Sequence, residues 1–236
     1  MLWVCDKRSA NGSNMVYFGL LPVDARSSEA RMIIPYVRWS LDALGVKNGP
    51  SQAEVIMTAD GPVLAGMSCR AHGGDGTWIP LARALTGGYT QVEAAVDAFL
   101  DKQQFYSLPD TPPKFKASGQ EVTLVSYSRG TVAATRGFDV IKQLPSFVYL
   151  ETGVKVGSEV DYTTDLFSNV GSVILVHHDE EVLKKDVEKI RQMEKDNVLF
   201  EYKAKDAILK GPSSIYSIAR QGHRRVISSD RPEMYW

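Results

Sequence analysis

Arg70 and His72 stand at the mouth of a glycine-dense loop, Cys69-Arg70-Ala71-His72-Gly73-Gly74-Asp75-Gly76-Thr77-Trp78, where an apolar strand-like run ends. A guanidinium, an imidazole and glycines that admit close backbone approach suit an anion, either a phosphate or a carboxylate. Upstream lies Glu54, a carboxylate in the strand-like run Gln52-Ala53-Glu54-Val55. Each residue also has a plainer explanation. Glu54 serves equally as a strand-surface charge, Arg70 as its partner across a hairpin, and His72 as a packing group of the loop. Gly73, Gly74 and Gly76 serve equally as positions of positive φ. His177-His178-Asp179 reads as a strand end, with Asp179 capping the next helix and no third metal ligand nearby.

The elements that must hold these groups are short strands at 55–58 and 63–67 around Ala59-Asp60-Gly61. A three-residue loop centred on Asp60 places Glu54 opposite Gly66 and Gln52 opposite Ser68. Strand alternation then adds Arg70 to the same face. A two-residue Asp-Gly loop shifts the pairing by one and breaks the arrangement. The residues alone leave both loops open.

Around the hairpin the pattern is mixed. Strands are expected at 2–5 and 15–21, joined by Asn11-Gly12-Ser13-Asn14. A helix capped by Ser27 or Ser28 follows, with Val37, Leu41 and Leu44 inward and Gly45 past its end. Residues 90–100 read as a helix with Val92, Ala95, Val96 and Phe99 inward. The three prolines of 107–113 mark a linker or crossing loop. Strands are expected at 121–127, 131–135, 147–150 and 171–176, with Ser128-Arg129-Gly130 a tight turn. A helix at 182–193 turns Leu183, Val187, Ile190 and Met193 inward, with Glu180–Lys184 and Glu181–Lys185 as ion pairs on its wet face.

With 236 residues, 44% apolar, 23% charged and a net charge of −1, the chain has enough material for a real core and no electrostatic signature of nucleic-acid binding. No apolar run approaches the roughly 18 residues of a membrane span. Charge arrives too early after Met1 for a secretory signal. Cys5 and Cys69 read as reduced core thiols of an intracellular protein, in cytoplasm or organelle. Residues 203–236 carry seven Lys/Arg and three Asp/Glu, a balance of +4 against −5 for the remainder. With Ile215, Tyr216, Ile218, Tyr235 and Trp236, this segment is expected either to fold back on its own domain or to reach an acidic protein partner.

Four blocks in order carry a family resemblance: Asp6-Lys7-Arg8 with Ala10-Asn11-Gly12, Ala43 to Ser51, Cys69 to Trp78, and Gly87-Gly88-Tyr89-Thr90-Gln91-Val92. From Trp3 to about Glu201 the chain resembles the C-terminal half of an ATP-grasp carboxylate–amine (amino-acid) ligase. The resemblance implies an α+β fold: an ATP-grasp C-terminal subdomain at 1–110 (antiparallel sheet with helices), a β-rich lid-like module with one helix at 115–201, and a basic extension at 203–236. It implies carboxylate activation by ATP through an acyl-phosphate that an amine attacks. Such ligases usually show Gly-x-x-His-x-Glu on the first hairpin strand and Leu-x-Glu-x-Asn-x-Arg on the second. Here Glu54 matches the first metal carboxylate and Arg70 the catalytic arginine. Gln52, Gly66 and Ser68 replace the His, the second Glu and the Asn. By the same resemblance His72, Gly73, Gly74 and Gly76 would contact the cofactor.

The family's N-terminal half, with its adenine pocket and phosphate-gripping lysine, has no counterpart in these residues. The chain by itself is therefore expected to hold no cofactor, and Mg-ATP only when complemented by such a half. Three readings follow: a truncated, inactive ligase relative serving as a structural or interaction subunit, a working ligase half completed by another chain, or a non-catalytic phosphate- or carboxylate-binding module.

Overall fold

The computed structural model describes residues 1–203 and the backbone of Ile208–Leu209. Its centre is an antiparallel five-stranded sheet. Strands β1 (Leu2–Ala10) and β2 (Ser13–Val23) form a long hairpin closed by Asn11 and Gly12, with φ of 51° and 83°. That left-handed pair is what a two-residue type I′ turn demands. β2 pairs with β5 (Ser118–Thr123), β5 with β9 (Ser172–His177), and β9 with β7 (Phe147–Glu151). Residues 107–113 thus cross between strands of one sheet. Gly19 is required where β2 meets β5, because a Cβ there would lie 1.9 Å from the Glu121 carbonyl oxygen.

Each face of the sheet is covered. On one, helix α2 (Ile79–Thr86) buries Leu81 and Leu85 against Ile174, with Trp3 and Phe115 beside them. On the other, α6 (Glu180–Lys195) lays Leu183, Ile190 and Met193 against Val122, Leu124, Val173 and Leu175. Asp179 caps α6 as expected, its carboxylate accepting from Glu181 N at 2.9 Å. Lys184 pairs with Glu180 as expected, but Glu181 also pairs with Lys184, at i,i+3, rather than with Lys185 at i,i+4. Strand β6 (Ser128–Ala134) binds β8 (Glu159–Val160), β10 (Glu201–Tyr202) and β11 (Ile208–Leu209).

Several expectations need correction. Ser128-Arg129-Gly130 is not a turn but the start of β6, because distant segments supply its ladder partners. Helix α1 (Ser28–Ala43), capped by the Ser27 hydroxyl, buries Ala30 and Ile33, while Leu44 is exposed. It packs on the hairpin of residues 52–68, where the Tyr36 hydroxyl accepts from Leu64 N at 2.9 Å. Helix α3 (Gln91–Leu100) forms where expected, yet it buries no residue, and Val96 and Phe99 face solvent. Helices α2, α4 (Lys102–Tyr106) and α5 (Arg136–Lys142) were not foreseen. Cys5 is half-buried but Cys69 is exposed, not a core thiol, and both are free. Among the described residues no helix is long and apolar enough to cross a membrane. Ile215, Tyr216, Ile218, Tyr235 and Trp236 lie outside the described residues.

Candidate functional site: a hairpin and a glycine loop

The hairpin consists of β3 (Gln52–Thr58) and β4 (Gly61–Ser68). Its turn contains only Ala59 and Asp60, since Thr58 pairs with Gly61. This is neither of the two expected loops. A one-residue bulge at Ala65, between the pairs Val55–Leu64 and Glu54–Gly66, then restores the register. Glu54 faces Gly66 and Gln52 faces Ser68. The chemistry-bearing end of the hairpin therefore has the pairing that the three-residue loop predicts, by a different route.

At that end Glu54 is exposed. A Cβ on Gly66 would lie 4.0 Å from Glu54 Oε2 and meet nothing nearer across the hairpin, so a side chain has room there. Arg70 Nη1 donates to Gln52 Oε1 at 2.7 Å and to the Ala71 carbonyl at 2.8 Å. These bonds replace the expected pairing of Arg70 with Glu54. They also occupy the side-chain oxygen of Gln52.

The loop beyond is built from below. Gly74 and Gly76 have φ of +73° and +78°, the left-handed conformation expected of them, whereas Gly73, expected to share it, has φ of −80°. Trp78 is buried, and its indole N–H donates to the Gly73 carbonyl at 2.8 Å. The His72 ring forms a triangle with two indoles, stacked on Trp3 with centroids 6.5 Å apart and edge-on to Trp78 at 5.3 Å, while the indoles meet each other at 6.5 Å. Its backbone N–H donates to Gln91 Oε1 at 2.9 Å. Burial above all, then the positive charges of Arg70 and the N-terminal amine, pushes the imidazole pKa down, with Glu54 opposing. His72 thus favours its neutral form, which suits packing better than holding a phosphate.

Glu121 was missed by the sequence reading. It is 5% exposed, and its Oε1 accepts from Thr77 at 2.9 Å and from Ser172 at 2.6 Å, tying the glycine loop to the sheet. Its Oε2 is buried without a partner. Cys5 lies in the same row of the sheet, across Leu20. Burial raises the Cys5 thiol pKa, and the charges of Glu54 and Glu121 add to this against Lys7, so it is a poor nucleophile near neutral pH. Gln91 was also missed. It clamps the loop through His72 and the hairpin through the Ser51 carbonyl, which accepts from its amide at 3.1 Å. An inward Glu in 118–123 could have been noticed only by knowing which strand face meets α2.

The donor set is a poor fit to magnesium. Glu54 supplies one exposed carboxylate, Gly66 supplies no side chain, and Ser68 supplies a neutral hydroxyl. Among the described residues no group of three or more His, Cys, Asp or Glu is placed to hold a metal ion.

No protein-family model matches the chain. It is 27% identical over 199 residues to dapdiamide A synthase of Enterobacter agglomerans, covering 83% of this chain and 45% of that protein. The fold resembles the L-amino acid ligase from Bacillus licheniformis (TM-score 0.61, 16% identity, 85% of this chain and 51% of that one). It also resembles phosphoribosylglycinamide synthetase from Anaerococcus prevotii (TM-score 0.59, 13% identity, 87% and 48%). The chain therefore has the α+β fold of the C-terminal half of an ATP-grasp ligase. It spans about half the length of the relatives it matches.

Proposed function

We propose that this chain is an ATP-grasp ligase module whose own metal site is incomplete, and that it serves in the cell as a binding subunit working with another polypeptide. The observation that carries this reading is the open space opposite Glu54. Bringing concentrated phosphate charge next to a carboxylate requires its neutralisation, and magnesium needs several hard oxygen ligands to do this. One solvent-facing carboxylate beside Gly66 and Ser68 competes poorly with water for the ion. Calorimetry on the purified chain should give a Mg-ATP dissociation constant weaker than about 1 mM, a binding free energy near −4 kcal/mol. Micromolar binding would overturn the reading.

A second reading is supported by Arg70. Its guanidinium is held by Gln52 beside the intact glycine loop, where an arginine could stabilise charge developing on a transferred phosphoryl group. A carboxylate–amine ligase half completed by another polypeptide would use Arg70 in this way. In such a complex the partner would supply the nucleotide pocket, and Mg-ATP would bind only to the pair.

A further inference from the structure

We infer that this chain associates head to tail with further copies of itself, the loop tip Leu166-Phe167 of one copy seating in a groove between the sheet and α6 of the next. The contact goes beyond the reading above and does not depend on the metal site. The tip is an anchor fixed by its own hydrogen bonds. Phe167 is 93% exposed and Leu166 beside it 43%. Asp165 Oδ1 accepts from the Phe167 and Ser168 amides, each at 2.9 Å. Ser168 Oγ accepts from Thr164 N at 2.9 Å and from Asp165 N at 3.1 Å. Below them Thr163 is buried and exchanges bonds with Ser126, and Asn11 in the β1–β2 turn donates to the Thr163 carbonyl at 2.8 Å. A loop held this way has little freedom left to lose on binding, so the aromatic ring it displays is a preformed interface anchor.

The receiving groove lies elsewhere on the same molecule. β2 and β5 pair only at Gly19–Val122 and Leu20–Glu121. Past that rung a groove of about 800 Å³ is lined by Leu21 and Phe115, with Leu183 and Val187 of α6 opposite. That volume is ample for an aromatic ring. Asp24 and Glu180 on its rim are held by Arg26 and Lys184. This leaves Lys114 and His178 at the end where β5 begins and β9 finishes, and Glu188 about two turns further along α6.

Two observations select a second copy as the occupant. The tip is flanked by Asp161 and Asp165, both exposed, which complement the lysine and imidazole at the groove mouth. The tip also leads into β9 at Ser172, whereas the groove mouth lies just past the end of that strand at His177. Tip and groove are thus separated by the length of the strand, about 20 Å at 3.3 Å per residue. They sit at opposite ends of one element, so a copy cannot fill its own groove. Two different surfaces that complement each other make a heterologous contact, which repeats from copy to copy until it closes into a ring or extends as a filament.

Sedimentation velocity of the 236-residue chain over a wide range of concentration tests this. The parent should form concentration-dependent species larger than a dimer. Phe167→Asp on the tip should weaken the association by about tenfold or more, and so should Lys114→Glu combined with Leu21→Glu in the groove. Both variants should keep the thermal transition of the parent. Mixed in equal amounts, the two variants should stop at a 1:1 dimer, because one intact tip then meets one intact groove and no further contact is possible. A parent that stays monomeric up to about 1 mM, an association that survives Phe167→Asp, or a mixture that forms no dimer would overturn the inference. So would Phe167-dependent flotation on phosphatidylcholine vesicles in place of self-association. Photo-crosslinking from benzoylphenylalanine at position 167 keeps the test decisive if the groove variant does not fold. Its crosslinks should fall on residues 114–120 or 183–187 of a second copy, and crosslinks elsewhere would overturn the inference.

Discussion

Replacing Arg191 by alanine should unlock α6 from the sheet that carries the site. The guanidinium is nearly enclosed, with 11% of the side chain exposed, and its partner Glu194 retains 1%. Nη1 donates to both Glu194 oxygens at 2.8 Å and to the Thr123 carbonyl at 3.0 Å. Nη2 donates to the Phe18 carbonyl, and the guanidinium lies 4.9 Å from the Phe18 ring centroid. Glu194 in turn accepts from Val125 N at 2.8 Å. One side chain thus joins α6 to β2 and β5.

Breaking a buried pair by removing one partner costs about 3–5 kcal/mol, because the remaining charge stays in the interior without compensation. For a chain of this size that is a fall of roughly 10 °C in midpoint. Chemical denaturation followed by circular dichroism measures it. The double change Arg191→Met, Glu194→Leu should recover most of the loss, since no isolated charge remains. The pH dependence has a definite sign. Burial already pushes the Glu194 carboxyl above its ordinary value, against the pull of Arg191. A carboxyl raised in the folded state contributes stability below its unfolded value, and that contribution is lost as pH rises through the folded value. Removing Arg191 raises it further. The cost should therefore be smallest near pH 4 and grow toward neutrality. A loss under about 1 kcal/mol, or one equal at both pH values, would refute this account of the lock.

Two further outcomes follow from the site. Gly66→Glu with Ser68→Asn should add carboxylate and amide ligands opposite Glu54 and Gln52, where the space at Gly66 is open. Magnesium should then raise the melting temperature of the double variant and not that of the parent chain; equal shifts would show that the hairpin is not the metal-binding end. His72 favours its neutral form through burial, so its stability contribution is present above the ordinary imidazole value near 6.5 and is lost as pH falls below it. His72→Phe should flatten the stability curve as pH falls below about 6.5, and an unchanged slope would assign that titration to another group.

Much of this molecule was legible from local chemistry. Asn11-Gly12 can close only one kind of hairpin cheaply, and it does. Ser27 and Asp179 cap the helices they precede, because their side-chain oxygens satisfy orphan amides within a few residues. The glycines at 74 and 76 adopt the backbone conformation that only glycine tolerates well. Glu54, Gly66, Gln52 and Ser68 come together because strand pairing is a short-range rule, and the correct end of the hairpin survived a wrong turn length.

What only the tertiary structure decided depends on residues far apart in the chain. The bulge at Ala65 places the site end of the hairpin in register, and no pattern in 61–68 announces it. Glu121 acquires its role from Thr77 and Ser172, 44 and 51 residues away, and from a sheet face that α2 covers. Ser128 to Gly130 became a strand because segments near 160 and 208 paired with it. The α3 stripe shows the same limit in reverse. Periodicity says that a helix has an apolar face, but only packing says whether that face meets the protein's own core or is left for another surface. Here Gln91 fastens one end of the helix to the site, and Phe99 and Leu100 at the other remain in solvent.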